Sequence, residues 1–485
     1  MKNIAQKLAE YSHALKYKDL PDDVIHEVKR RVIDSLGCAI GAFDSEPVKI
    51  ARQIAQNAAT PHPAPLPQRE RGLRGFSGRE RGERAATIFG TDIKTLPDLA
   101  AFANGVAIRY LDYNDTYLSK EPAHPSDNIS ACLAVAEAFN KSGRDLITAI
   151  ALAYEVQCRL CDAASLRQRG WDHVTYGAFS STLAAAKLMN LNIEKTVHAL
   201  GLAGVANIAL RQTRVGELSM WKGCAFANTA RNAVFAVMLA KNGMTGPAPI
   251  FEGEKGFMKL VSGSFELEGF GGKKRPFKIL DTYIKFYPAE YHSQSAIQAA
   301  LQLRKKIVAQ GFSLARDIKS IEIKTFNAAY EIIGSGPERW NPKTRETADH
   351  SLPYCVAVAL MDGEVGLKQF AERRIKSPGL HRLIQKVGIV RDRELNRQYP
   401  EAMPNLIRII TKDDRQFSNK VTYPKGHPKN PMTDKEVEEK FKTLAKGLVS
   451  ARDVDKILSI LWTLEELKNL RKLFPTLSTG ERGKG

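Results

Sequence analysis

The first residues that could do chemistry are Asp112, Asp115 and Thr116, followed by His124. They fall in a turn-rich stretch with two prolines between two helical patterns, and functional side chains are common on such loops. An aspartate or a histidine placed there could transfer a proton as a general acid or base. The alternative is that the aspartates only stabilise a surface turn.

Basic residues precede two other predicted helices. Lys222 follows Trp221 and could hold a carboxylate or exchange a proton; the alternative is a surface lysine whose stem packs on apolar neighbours. Lys285 and His292 precede Ser293, which could cap the next helix. Because a helix N-terminus attracts anions, this segment is a candidate anion site, and the alternative is an ordinary capped helix.

A third group of cations, Arg339, Lys343 and Arg345, lies in one predicted loop. Arginine binds carboxylates with two parallel hydrogen bonds, so this loop could hold an acidic substrate. The alternative is a solvated loop without a ligand. Asp349 follows the loop and is expected to cap the next helix.

Several kinds of site have no motif in this sequence. There is no P-loop, no dinucleotide-binding fingerprint and no G-x-S-x-G turn. Cys158 and Cys161 form a lone C-x-x-C pair inside a helical pattern. Without a second pair, packing is a better interpretation than metal binding. The sequence therefore predicts no metal site.

The six cysteines are scattered and suggest no disulfide framework, which is typical of a reducing compartment. The first twenty residues lack the apolar core of a secretory signal. Apolar runs such as 146–154 are too short to span a bilayer. We therefore expect a cytoplasmic protein with no membrane partner.

The 485 residues carry a formal net charge of +19, which raises nucleic acid as a partner. Two segments stand apart in composition. Residues 61–84 are rich in Arg, Gly and Pro and are interpreted as a flexible insertion, and residues 475–485 as a disordered tail. The remaining charges are dispersed, without the interleaved aromatic residues of single-strand binders. We therefore predict no nucleic-acid partner; a basic field would also suit a small polyanion.

The elements that must position these side chains differ along the chain. Up to about residue 270 the apolar spacing predicts helices, including 95–109 and 126–139, and no convincing strand. Later, residues 320–326 alternate as a half-buried strand does, and residues 405–411 and 416–422 flank a four-residue turn as in a hairpin.

Helical patterns return near the C-terminus, at 435–448 and 451–466. The sequence therefore predicts a mainly α fold with two domains. Residues 1–275 and 431–485 would form a large all-helical domain. Residues 276–430 would form a smaller α+β domain inserted before the C-terminal helices, and such a doubly connected insertion suits a lid.

Four stretches of the sequence resemble the MmgE/PrpD family: YLDYNDTYLSKEPAHPSDN, MWKGCAFANTARNAVFA, KFYPAEYHSQSAIQAAL and WNPKTRETADHSLPYCVAVAL. The resemblance covers nearly the whole chain apart from 61–84 and the last dozen residues. It implies a helical domain, an α+β lid with the active site between them, and a homodimer. It also implies elimination of water without a cofactor or iron–sulfur cluster. HPSDN and the last two stretches resemble the branch that dehydrates 2-methylcitrate.

The same resemblance implies roles for residues of the candidate site. Asp112, His124 and Lys222 would be catalytic. The residues that would contact a substrate with three carboxylates are Thr116, His173, Lys285, His292, Arg339 and Arg345. Asp112 and His124 would be the acid–base pair, and which of them is the acid and which the base is left open.

Other chemistries remain open at this stage. The family also includes decarboxylation of cis-aconitate and epimerisation of related acids. In the decarboxylase branch the lid contributes an active-site tyrosine, whereas Trp340 stands nearby in this chain. This difference weakens the case for a decarboxylase mechanism here. Dehydration of citrate is a further possibility, and a basic nucleic-acid-binding protein is a remote alternative.

Overall fold

The structure is a computed structural model that describes residues 3–59, 84–267, 269–272 and 275–473. The predicted insertion at 61–84, apart from its last residue, and the predicted tail at 475–485 lie outside these ranges. Within them, no helix is both long and apolar enough to cross a membrane.

The larger part of the structure is built from helices, and three of those described begin at a residue whose side chain caps the helix. At the start of helix Gly143–Ala163, the Ser142 hydroxyl accepts a hydrogen bond from the Asp145 amide, and the Asp145 carboxylate accepts one from the Ser142 amide. The helices predicted at 95–109 and 126–139 are confirmed with shifted bounds. The helices are α1 Ile4–Ala14, α2 Asp22–Gly41, α3 Glu46–Asn57, α4 Pro97–Tyr110, α5 Ile129–Ala138, α6 Gly143–Ala163, α7 Gly177–Leu188, α8 Ile193–Ala206 and α9 Trp221–Lys241.

The expectation that this part contains no strand is wrong. Strands β1 (Ala86–Thr87) and β2 (Lys94–Thr95) form a small antiparallel pair just before α4. The buried carboxylate of Glu137 accepts hydrogen bonds of 2.6 Å from both the amide and the hydroxyl of Thr87. A two-residue strand is too short to produce an alternating pattern, so no periodicity in the sequence indicates it.

The smaller part contains a four-stranded sheet in the order β4-β3-β5-β6. Its strands are β3 Ile318–Thr325, β4 Val387–Arg391, β5 Asn405–Thr411 and β6 Gln416–Val421. The predicted strand near 320 and the hairpin are confirmed. β4, which pairs parallel to β3, was not predicted, because it is a short edge strand with mostly exposed side chains.

Short helices surround this sheet, and two predicted caps need correction. Asp349 does not cap the next helix; that role belongs to Ser351, whose hydroxyl accepts from the Tyr354 amide at 3.1 Å. Ser293 precedes its helix without capping it and donates to the Glu290 carbonyl. The helices are α10 Gln294–Ala309, α11 Asn327–Ile333, α12 Pro337–Trp340, α13 Arg345–Ala348, α14 Leu352–Asp362, α15 Glu372–Ile375, α16 Pro378–Ile384 and α17 Arg393–Arg397.

Two terminal helices, α18 (Asp434–Ala445) and α19 (Ala451–Trp462), follow the sheet. Phe441 and Leu461 from these helices are buried in the core of the helical part. The α+β part has its own core around the inner face of its sheet. The described structure is therefore mainly α, with the C-terminal helices packed on the first part.

The chain crosses between the two cores through residues 282–287 and 424–432, here called the crossing segments. Helix α2 contacts both of them: Arg31 donates to the Thr282 carbonyl at 3.0 Å, and Arg30 donates to the Met432 carbonyl. The segments also bond to each other, since the Ile284 amide donates to the Gly426 carbonyl. These contacts fix the place where Lys285 enters the interior.

Candidate active site

The carboxylate of Asp112 is buried among three cations. Its Oδ1 contacts the Arg109 guanidinium and lies 3.0 Å from Lys285 Nζ, while Oδ2 lies 3.7 Å from Lys222 Nζ. Burial raises the pKa of this carboxyl, but the three cations outweigh burial and hold the pKa well below its ordinary value. Asp112 is therefore ionised at neutral pH.

Each cation reaches Asp112 from a different direction. Arg109 stands in the last turn of α4, Lys222 in the first turn of α9, and Lys285 in the first crossing segment. Asp112 has a φ of +50°, a left-handed conformation that aspartate tolerates better than most residues. Its carbonyl also accepts a hydrogen bond of 2.9 Å from Lys285 Nζ, so this lysine contacts both ends of the residue.

A second buried carboxylate, Asp349, comes from the α+β part. Its Oδ1 lies 3.3 Å from Lys222 Nζ and accepts from His350 Nδ1 at 2.7 Å. Burial lowers the pKa of His350, and the charge of Lys222 lowers it further. Neither Asp349 nor His350 was a candidate from the sequence, because Asp349 was interpreted as a cap; the adjacent Asp-His pair in the WNPKTRETADHS stretch was the available signal.

Asp112, Asp349 and His350 could meet the ligand spacing of a metal ion, since their donor atoms lie within 4.8 Å of one another. However, the Lys222 ammonium lies 3.3 to 3.7 Å from both carboxylates, where it already supplies positive charge. The donor set therefore fits the lysine better than a divalent cation. This cluster gives no reason to revise the expectation of a site without metal.

His124 and His173 form a pair beside this cluster, with ring centroids 5.6 Å apart. His124 Nδ1 lies 2.7 Å from the Asp115 carbonyl, and because a carbonyl only accepts, Nδ1 carries the proton. Burial lowers the pKa of His124 well below its ordinary value, and the charges of Arg109 and Lys285 lower it further. His124 is therefore neutral at neutral pH, with a free lone pair on Nε2.

His173 is also neutral, because burial lowers its pKa to about 3 despite the nearby carboxylate of Asp172. That carboxylate is held by Arg214 at 2.9 Å, and Arg214 also donates to the Lys222 carbonyl. No pattern in the sequence assigned Arg214 a role in this site. Its contacts connect the histidine pair to the start of α9.

His292 has a different partner. Its Nδ1 lies 2.6 Å from Glu290 Oε1, and the other Glu290 oxygen accepts from the His292 amide at 2.8 Å. Burial raises the pKa of Glu290, but His292 and neighbouring cations lower it below its ordinary value. His292 Nε2 is buried and has no hydrogen-bond partner within the part of the chain that the structure describes. The sequence did not identify Glu290.

Three residues predicted to contact substrate remain, and they differ in whether protein groups already occupy their hydrogen-bonding atoms. Arg339 is only 5% exposed, and its Nε and Nη1 lack hydrogen-bond partners among the described residues, so it could receive a ligand. Arg345 donates to the Leu111 carbonyl and lies over the Phe370 ring. Thr116 donates its hydroxyl to the Ala123 carbonyl, which leaves that oxygen only as an acceptor.

The charge of Asp112 gives a stability test. Asp112→Asn removes the carboxylate that three buried cations share and should lower the free energy of unfolding by about 3 kcal/mol at pH 7. Because the folded-state pKa is depressed, the carboxylate stabilises the fold above the ordinary carboxyl pKa, and this contribution is lost as pH falls below it. Urea denaturation of both proteins from pH 7 down to pH 3 measures the difference.

The matched control is Asp92→Asn, a substitution at an exposed aspartate, which should change stability by no more than about 0.5 kcal/mol. A difference for Asp112→Asn that stays constant across this pH range, or that is absent at pH 7, would contradict the ionised assignment.

Comparison with known proteins identifies the family of this chain. The MmgE/PrpD N-terminal domain matches residues 6–75 and 71–269, and the MmgE/PrpD C-terminal domain matches residues 287–466. The chain is 28% identical to human cis-aconitate decarboxylase, over 97% of this chain and 93% of that protein. It is 28% identical to the 2-methylcitrate dehydratase of Escherichia coli K12, over 88% and 87%, and to the mitochondrial 2-methylcitrate dehydratase of Yarrowia lipolytica, over 94% and 86%. The chain belongs to the MmgE/PrpD family.

Proposed function

We propose that this protein is a hydro-lyase that removes water from 2-methylcitrate to give 2-methyl-cis-aconitate, a step of propionate catabolism. The observation that carries the proposal is the buried cation cluster of Arg109, Lys222 and Lys285 around one carboxylate. Relatives over most of the chain that are named 2-methylcitrate dehydratase support it. A substrate with three carboxylates needs such an excess of positive charge.

Binding of the substrate would use the cations that are least satisfied. Arg339 has two buried nitrogens without hydrogen-bond partners in the described ranges. An arginine can donate two parallel N–H hydrogen bonds to one carboxylate. The contacts of Lys222 Nζ are all long, at 3.3 Å to Asp349, 3.4 Å to His350 and 3.7 Å to Asp112, so a substrate carboxylate can join them. Asp112 would hold these cations in place and would not itself transfer a proton.

His124 is the proposed general base. Its Nε2 lone pair would take the proton from the carbon beside one substrate carboxylate. The electron pair left on that carbon spreads into the carboxylate, which gains negative charge in the transition state. Lys222 and Lys285 would stabilise that charge, and preorganised charges of this kind are commonly the largest catalytic contribution.

His292 is the proposed general acid. The carbon–oxygen bond breaks as the double bond forms, and the departing hydroxyl takes the proton of His292 Nε2 and leaves as water. Glu290 would balance the positive charge of that histidine before the transfer. The two histidines are thus distinguished by their Nδ1 partners, a neutral carbonyl for the base and a carboxylate for the acid.

We further propose that the α+β part acts as a lid. It supplies Arg339, His292 and Asp349, whereas Asp112 and His124 come from the helical part, so both parts are needed to complete the site. A cavity of about 220 Å³ lies between Glu217 of the helical part and the 337–347 loop, next to Arg339 in the chain. Closure there would exclude water from the reaction.

The proposal extends to the setting of the enzyme. We propose a homodimer in the cytoplasm that works without a cofactor, a nucleic acid or a membrane. The six cysteines are free and buried, which suits a reducing compartment. Sedimentation equilibrium would distinguish a dimer from the 53.7 kDa monomer.

Decarboxylation of cis-aconitate is the second candidate, because the human relative with that name covers 97% of this chain at the same identity. Trp340 stands near the place where the resemblance implies a lid tyrosine in that branch. Its indole donates to the Val387 carbonyl at 3.0 Å, so it is engaged inside the α+β part. This favours dehydration over decarboxylation.

A substrate panel decides between the two reactions. We expect ultraviolet absorbance from a new conjugated double bond on adding 2-methylcitrate, with a smaller rate for citrate, in the presence of a metal chelator. Cis-aconitate should release no carbon dioxide. Carbon dioxide release without dehydration of 2-methylcitrate would overturn the proposal in favour of the second candidate, and loss of dehydration on adding the chelator would contradict the cofactor-free reaction.

The two proposed histidines give a separate test. His124→Gln and His292→Gln should each lower kcat by about 100- to 10,000-fold with the fold intact, whereas His13→Gln, at an exposed histidine, should not. Because the pKa of His124 is lowered, the neutral base persists below the ordinary histidine pKa of about 6.5. In the wild type, kcat/KM should therefore fall only at a more acidic pH. Near-normal turnover of either variant would show that the histidine is not part of the acid–base pair.

A further inference from the structure

Lys440 of α18 is a buried lysine that none of the four candidate segments contains. Its Nζ lies 2.6 Å from Asp34 Oδ1, and it donates to the Tyr113 carbonyl at 2.7 Å and to the Lys285 carbonyl at 2.8 Å. It also lies 3.8 Å from the centre of the Tyr113 ring. The ammonium is thus surrounded by three oxygens, two carbonyls that accept hydrogen bonds and one carboxylate that forms an ion pair.

Each of the three oxygens belongs to a different segment. Asp34 stands on α2, Tyr113 follows Asp112 in the loop after α4, and Lys285 lies in the first crossing segment. Lysine is almost never fully buried unless it is paired, and Lys440 is only 7% exposed. A buried charge with a complete set of partners holds the groups around it in one arrangement.

The two carbonyls adjoin the centre of the candidate site. The Tyr113 carbonyl is one residue from Asp112, and the other carbonyl belongs to Lys285, whose ammonium contacts the Asp112 carboxylate at 3.0 Å. The same two segments are also joined by the Tyr113 hydroxyl, which donates to the Phe286 carbonyl at 2.8 Å. The Lys440 ammonium therefore bridges the backbones of the two segments whose side chains meet at Asp112.

We propose that Lys440 is a positioning residue: through its hydrogen bonds to the Tyr113 and Lys285 carbonyls it sets the distance between Asp112 and Lys285, without touching substrate. The effect on turnover rests on the proposed function, because it acts through residues assigned there. The effect on the Asp112–Lys285 contact does not depend on the substrate. A misplacement of about 1 Å can cost about 100-fold in rate, so the backbone link has a measurable consequence.

The activity test separates positioning from charge balance. Lys440→Met keeps the length of the stem but leaves Asp34 buried without its cation, so this variant should melt at a lower temperature. The double variant Asp34→Asn/Lys440→Met removes the unpaired charge and should recover most of the melting temperature. We expect its kcat to remain roughly 10- to 100-fold below wild type, with a smaller change in KM. Lys435→Met, at an exposed lysine of the same helix, is the control and should match wild type.

A double variant with the melting temperature and the kcat of the wild type would overturn the proposal, because Lys440 would then only balance Asp34. A second measurement does not use activity. If Lys440 positions the Asp112–Lys285 pair, the melting-temperature losses of Lys440→Met and Asp112→Asn should be non-additive. Additive losses would overturn the positioning role, whichever substrate the enzyme accepts, whereas non-additive losses without any dehydration of 2-methylcitrate would count only against the proposed function.

Discussion

The carboxylate of Asp112 has been taken out of water, and three protein cations replace the solvation that it lost. A buried carboxylate of this kind is tolerated only when its charge is compensated by well-placed partners. Arg109, Lys222 and Lys285 provide that compensation from three elements. Helix α4, the start of α9 and the first crossing segment must therefore meet at one point, and the rest of the site is arranged around that meeting.

The same constraint explains how one cluster can serve a polyanion. A cluster of cations alone would repel itself in the interior, whereas Asp112 and Asp349 hold the cations close together. Arg339 adds a guanidinium with unused hydrogen-bonding capacity. Under the proposed function, the aspartates would keep the cations together, and the histidines, whose Nδ1 partners differ, would move protons.

Much of the fold could be predicted because it follows from local patterns. The helices around 95–109 and 126–139 and the hairpin at 405–422 have the expected periodicity, and the structure confirms them. Strands β1 and β4 escaped prediction, since one has two residues and the other is mostly exposed. The hydrophobic repeat of two residues in a strand, or of 3.6 residues in a helix, can be recognised only when the element is long enough and buried on one side.

The candidate site was predictable to a different degree. Asp112, Lys222 and Lys285 stood out because their residue types and neighbours suggested chemistry, and the structure brings them together. Arg109 and Asp349 did not stand out: no motif marks Arg109, although it is only three positions from Asp112, and Asp349 was expected to cap a helix. Asp349 meets the site across 127 positions from Lys222 and 237 from Asp112, and no local pattern in a single sequence records such pairings.

The cations around Asp112 are proposed to form a receptor for a tricarboxylate. The most direct measurement is a crystal structure of the wild-type protein with propane-1,2,3-tricarboxylate, which has no hydroxyl to eliminate. We expect one ligand carboxylate on the Arg339 nitrogens that lack hydrogen-bond partners among the described residues, another against Lys222, and the carbon chain beside His124 Nε2. A ligand that binds elsewhere, or a well-ordered site that stays empty at saturating tricarboxylate, would contradict it.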